Sequence, residues 1–201
     1  VTIDQFVLLR FGRKVDVDGH YGGQCTDLAR DFFKQVLKLP PYVIPPVTWA
    51  YQMYDNFPDG GDENFEKVKK TPTNFPKRGC VVFWKPTPGI IGEPGHVALC
   101  LSADIDSQLV FEQNWNGGLC EIRRDKYRGM EGMGWLRPKN LEGEKVAKET
   151  AFFRACAATW KKAAKYYREH YRGEVGEAPL RAQYKLAAGH WDRPKKLEGK
   201  K

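Results

Sequence analysis

The chain changes its hydrophobic period once, and that change constrains the fold more than any other feature. As far as Tyr54 the apolar residues recur at helical spacing; from Phe65 onward they form short runs of period two. The turn-rich stretch NFPDGGDEN, residues 56–64, separates the two regimes. The first regime predicts a helix from Thr2 to Arg10, capped by Thr2 and striped by Ile3, Phe6, Val7 and Leu9. A loop follows at 16–23 (DVDGHYGG). A second helix runs from Cys25 to Leu39, stopped by Pro40 and Pro41, and a short third one from Thr48 to Tyr54. The second regime predicts strands at 65–69, 81–84, 96–101, 109–114, 120–124 and 134–137. Helices first and short strands later describe an α+β domain: N-terminal helices packed on a twisted antiparallel sheet.

Length and charge divide the chain. Its 201 residues, 41% apolar with six Trp, nine Tyr and eleven Phe, suffice for one sizeable core and an appendage. No run of 18 apolar residues occurs, which excludes a membrane-spanning helix. No basic-then-apolar leader opens the chain, so no signal peptide is expected. Five cysteines without tight pair spacing argue against a disulfide scaffold and against a C-x-x-C zinc site. Residues 1–140 hold 18 Lys/Arg and 17 Asp/Glu, whereas 141–201 hold 15 and 8. The expected division is therefore a nearly neutral domain at 1–140 and a basic, mainly helical extension at 141–201. Within the extension, residues 145–171 read as one long helix with Phe153, Trp160 and Tyr167 near one face and lysines over the rest. Such a surface suits an anionic partner: a wall polymer, a membrane or an acidic assembly component. Nucleic acid fits less well, because the aromatics form a stripe and are not interleaved with the lysines as stacking platforms.

Cys25 follows a glycine-rich turn and opens a helix, where unpaired N–H groups and the positive dipole end favour a thiolate. Gln24 and the Cys25 backbone N–H are candidate oxyanion donors. Cys80, Cys100, Cys120 and Cys156 lie inside apolar patterns and read as core. His96 begins a strand after a Pro-Gly turn. A hairpin over 96–114 centred near Ile105 sets His96 opposite Asn114 and Ala98 opposite Glu112. By the period-two rule one sheet face then offers an imidazole, a carboxylate and an amide. A helix packed on that face would bring Cys25 to His96, giving Cys–His–Glu or Cys–His–Asn. Taken singly, Glu112 reads equally as a solvated strand residue and His96 as a core histidine. Trp84 and Trp115 flank this face, as groove walls or as core.

The segments YGGQCTDL (21–28), GHVAL (95–99) and FEQNW (111–115) together resemble the CHAP family. These are cysteine- and histidine-dependent amidohydrolases or peptidases of papain-like fold that cleave bacterial peptidoglycan, many of them phage endolysins or virion lysins. FPKRGCVVFW (75–84) is similar to another family block, with Cys80 in place of the usual Asp, and GMGWLRP (132–138) to the closing strand. The resemblance implies Cys25 as nucleophile, His96 as general base and acid, Glu112 as the group orienting the imidazole, and Asn114 and Gln24 in support. It implies a phage-encoded or secreted protein acting on the cell wall. It leaves open whether the scissile bond is the sugar–peptide amide or, as favoured here, a peptide bond of the stem or cross-bridge.

Asp16, Asp18, His20, Gly22 and Asp27 occupy positions 1, 3, 5, 7 and 12 of an EF-hand-like spacing. Asp16, Asp18 and Asp27 would give carboxylates, His20 and Gly22 backbone carbonyls. The EF-hand pattern is broken, with Gly19 at position 4 and Tyr21 at position 6, and a plain turn accounts for the same residues. Some phage members of the resembling family bind calcium in such a loop, which implies a structural Ca2+ here and no organic cofactor.

Overall fold

The structure is a computed structural model that describes residues 1–115, 118–127 and 133–141. The helix expected at 145–171, and with it nearly all of the extension, lies outside the described residues. Three short helices precede a six-stranded antiparallel sheet: α1 (Ile3–Arg10), α2 (Cys25–Phe32), α3 (Gln52–Asp55), β1 (Phe65–Lys69), β2 (Val81–Trp84), β3 (His96–Ala103), β4 (Gln108–Glu112), β5 (Glu121–Asp125) and β6 (Gly134–Pro138). The strands lie in the order β1-β6-β2-β3-β4-β5. The last strand thus inserts between β1 and β2, and β1 and β5 form the edges. No described helix is long and apolar enough to cross a membrane.

Each helix starts or stops for a local reason. In α1, Thr2 Oγ1 accepts from the Gln5 N–H at 3.2 Å, and Gln5 Oε1 accepts from the Thr2 N–H at 3.0 Å, a reciprocal cap. The second helix is shorter than its periodicity predicts. It is α-helical only to Phe32, then widens into a π-helical segment, Phe33–Leu37, that ends on Lys38 in the left-handed region. The widened turn lets both Phe32 and Phe33 be fully buried. Leu9 is exposed, so the α1 stripe is narrower than expected.

Aromatic rings join the helices to one face of the sheet. Phe6 of α1 meets Phe32 of α2 at 5.6 Å and Phe111 of β4 at 6.2 Å. Phe33 packs on Phe65 at 5.4 Å, and Tyr54 of α3 on Phe83 of β2 at 5.6 Å. Edge-on ring pairs add to the burial term. Phe83 and Phe111 alternate along their strands with Trp84 and Glu112. The helices therefore cover the face opposite His96 and Glu112, and not the face expected from the sequence. The physical reason is composition. Val81, Phe83, Val97, Leu99 and Phe111 make one face wholly apolar, and only that face can bury Leu28, Ala29 and Phe32. The other face holds a smaller cluster of Cys80, Val82, Trp84, Ala98, Cys100, Val110 and Trp135.

Next to the site, the β3–β4 hairpin keeps the expected register: Leu99 pairs with Phe111 and Cys100 with Val110. A bulge between Cys100 and Ser102 then shifts it, so that Ser102 pairs with Leu109 and Ala103 with Gln108. Phe32, with no exposed surface, links both helices to the sheet. Phe32→Ala should lower unfolding stability by about 3–5 kcal/mol. Urea denaturation reads this as a lower midpoint at unchanged slope; an unchanged midpoint would contradict the packing described.

Candidate active site

Cys25, His96 and Glu112 come together at one end of the sheet, where β3 begins. Cys25 is the first residue of α2 and is half-buried. Its sulfur shares a cleft with the His96 imidazole and acts on it electrostatically. His96 is 4% exposed, and its Nε2 lies 2.8 Å from Glu112 Oε2, which has no exposed surface. An ionised carboxylate only accepts, so Nε2 carries the proton and Nδ1 is left for the sulfur. Glycine at 95 permits this placement. Its φ is +65°, and a Cβ there would collide with the Trp84 carbonyl oxygen.

The electrostatics follow from burial and charge together. Burial alone would lower the His96 pKa, but the Cys25 sulfur and then Glu112 outweigh it and raise it to about 9. Burial would raise the Glu112 pKa, but His96 and Arg123 hold it below the ordinary carboxylate value. Arg123 on β5 donates from Nε to Glu112 Oε1 at 2.5 Å and from Nη2 to Oε2 at 3.2 Å. Its guanidinium lies 3.7 Å over the Trp115 ring. Trp115 in turn meets the imidazole edge-on at 4.9 Å.

The remaining candidates separate into groups. Trp115, Gln24, Asn114, Ile90, Ile91 and Pro94 help line a cleft of about 270 Å³ that contains Cys25 and His96. Trp84 is fully buried in the small cluster behind His96 and lines no part of this cleft. Asn114 sits past the end of β4 with φ +64°, and its Nδ2 donates to Gln24 Oε1 at 2.9 Å. The amide therefore serves Gln24. Gln24 Nε2 donates to the Tyr21 carbonyl at 2.8 Å, which uses one of its two amide N–H groups. Asp16, Asp18 and Asp27 converge, with carboxylate oxygens all within 4.8 Å of one another. Asp27 also caps α2: its Oδ2 accepts from the Gln24 N–H at 2.8 Å and its Oδ1 from the Val17 N–H at 3.2 Å. Its pKa is raised, by burial first and then by Asp18 and Asp16. His20 is exposed, and its N–H donates to Asp18 Oδ1 at 2.8 Å. Gly22 has φ +67°.

Sequence reading passed over two residues. Arg123 is one. Gln113 is the other, a side chain without exposed surface between two singled-out residues. Its Nε2 donates to the carbonyls of Val15 and Gln24, both at 2.8 Å. Its Oε1 accepts from the Val15 N–H at 2.6 Å and from Cys120 Sγ at 3.1 Å. One amide thereby pins both ends of the acidic loop and the residue before Cys25. A Cβ on Gly23 would strike the Val15 carbonyl and stand 2.6 Å from Gln113 Nε2. Gly23→Ala should therefore cost about 1–3 kcal/mol by overpacking. A denaturation midpoint equal to that of the parent protein would show the clamp to be loose.

Comparison with known proteins gives three findings. The family model described as "CHAP domain" matches residues 15–114. Endolysin PlyTW of Staphylococcus phage Twort is 29% identical over 160 residues, which is 73% of this chain and 31% of that protein. The chain thus spans about a third of the length of that relative. Among solved structures, the wild type endolysin LysIME-EF1 is similar at TM-score 0.49 and 21% identity, over 74% of this chain and 68% of that one. Ly7917 with the hydrolyzing product of MDP is similar at TM-score 0.46 and 13% identity, over 67% and 62%.

Proposed function

Because residues 15–114 make this chain a member of the CHAP domain family, we propose that it is a cysteine-dependent peptidoglycan hydrolase of a phage-encoded lysin. The observation that carries this reading is the continuous line from the Cys25 sulfur through the His96 imidazole to the Glu112 carboxylate at the wall of an open cleft. That is the order of nucleophile, base and orienting group in acyl transfer from an amide.

The steps follow from the placement of these atoms. His96 Nδ1 takes the Cys25 proton, and the sulfur attacks the amide carbon. The carbonyl π electrons pass to oxygen. The Cys25 backbone N–H, unpaired at the first turn of α2, faces the resulting oxyanion, assisted by the second Gln24 amide N–H. As the oxyanion collapses, the C–N bond breaks and His96 returns the proton to the departing amine. Water then adds to the thioester, with His96 as base, and frees the acid and the thiol. Glu112 keeps the proton on Nε2 throughout, so that Nδ1 always faces the sulfur. Asn114 and Tyr21 hold the Gln24 amide in place. Trp115 supplies an aromatic wall for the substrate. A peptide bond of the stem or cross-bridge is the favoured target over the N-acetylmuramoyl-L-alanine bond.

Three mutually repelling carboxylates at Asp16, Asp18 and Asp27 fit a hard divalent cation, and calcium suits an all-oxygen set. The carbonyls of His20 and Gly22 would complete the shell. Bound there, calcium would order the loop that leads into Gln24 and Cys25; the chemical steps need only the protein's own groups.

Two outcomes test the reading. Cys25→Ser should melt like the parent protein yet release no new amines or fragments from purified peptidoglycan in mass spectrometry; parental rates would remove the mechanism. Calcium should raise the melting temperature of the parent protein but not of Asp18→Ala, and the variant should lose activity. Full Asp18→Ala activity in excess chelator would eliminate the calcium role.

A further inference from the structure

The Glu112 carboxylate has no exposed surface, yet it holds a negative charge beside a residue whose own charge must change. In the steps above His96 gains and loses a proton, so it cannot supply a constant counter-charge. Arg123 can, because a guanidinium stays protonated at any working pH. Its contact is also geometric: Nε reaches Oε1 and Nη2 reaches Oε2, so both carboxylate oxygens are held and the carboxylate plane is fixed. With that plane fixed, Oε2 stays aimed at His96 Nε2. The same guanidinium lies over the ring of Trp115, which packs edge-to-face with the imidazole and helps line the cleft.

We propose that Arg123 is a positioning residue of the site, the fourth member of a line Cys25–His96–Glu112–Arg123, which keeps Glu112 ionised and oriented while it backs the Trp115 wall. The inference rests on the proposed function for its catalytic consequence, although its electrostatic part does not. Arg123 is itself held from β5, where Nη1 lies 3.4 Å from Asp125 Oδ1. Asp125 also accepts from Gln108 Nε2 at 3.3 Å and from the Tyr127 N–H at 2.9 Å. The charged groups around the pair are therefore Cys25 from α2, Arg123 and Asp125 from β5, and Glu121, the cross-strand neighbour of Glu112. Arg123 supplies the cation that touches Glu112 besides His96. A lysine at 123 would keep the charge but, as a single ammonium, could not hold both oxygens in one plane.

The test uses Arg123→Met and Arg123→Lys in the full chain, with two readouts. The first is the pH profile of peptidoglycan hydrolysis. The second, independent of substrate, is the low-field His96 Nε2 proton in nitrogen-15-labelled protein, which reports the bond to an ionised Glu112. In Arg123→Met, Glu112 loses its permanent counter-charge and takes up a proton at higher pH. The acid limb of activity and the loss of the Nε2 proton signal should both move up by about one pH unit. kcat should fall about tenfold with little change in KM. Arg123→Lys should leave the pH midpoint near that of the parent protein but still lower kcat, because charge is kept and the fork is lost. A purely structural role would lower kcat in both variants and move neither pH midpoint, and that result overturns the proposal. If Arg123→Met does not fold, Arg123→Lys at full parental kcat overturns it. A parent protein that shows the Nε2 signal but cleaves no peptidoglycan defeats the proposed function and leaves the proton readout to decide the role of Arg123.

Discussion

A carboxylate removed from water must be compensated where it stands, and this requirement organises the site. Leaving Glu112 unpaired would cost several kcal/mol of desolvation, about the size of a small domain's margin of stability. The compensation comes from two strands. His96 opens β3 and Arg123 lies on β5, on either side of β4. The three residues line up across neighbouring strands because the sheet is antiparallel and its register is locked by buried faces. Positions two apart on one strand share a face, so the same alternation that buries Phe111 delivers Glu112 to the opposite side.

The Cys25 sulfur arrives by a different route. Its helix is bound to the other face of the sheet, where the aromatic rings are. Gln113 points to that side and reaches the carbonyl of Gln24. Asn114, turned by its left-handed backbone, reaches the Gln24 side chain. Two successive residues of one strand end thus hold one residue of the loop, from its main chain and from its side chain. Cys25 is placed by the residue before it, and that residue is placed by β4. The strand that carries Glu112 is therefore also the strand that positions the sulfur.

Much of this was legible because it obeys period two. Strand positions, the hairpin register beside His96 and the buried state of Cys80, Cys100 and Cys120 all follow from alternation and turn chemistry. The bulge at Cys100–Ser102 was not legible, since no glycine or other turn-forming residue marks the extra position in ALCLSA. The π-helical end of the second helix was hidden because Phe32 and Phe33 satisfy a helical stripe either way. Trp84 shows the limit for a single aromatic: the same ring can wall a cleft or fill a cluster, and only its neighbours Val82, Ala98 and Trp135 decide.

By itself, the sequence determined the class of the fold, the loop that exposes Cys25, and the strand alternation that sets His96 and Glu112 side by side. These are local properties, written in spacing over a few residues. Tertiary structure alone decided which sheet face takes the helices, which groups neutralise Glu112, and what anchors Gln24. Each of those depends on partners roughly 10 to 100 positions apart in the chain, and a polar side chain such as Gln113 or Arg123 acquires its role only from what burial sets against it.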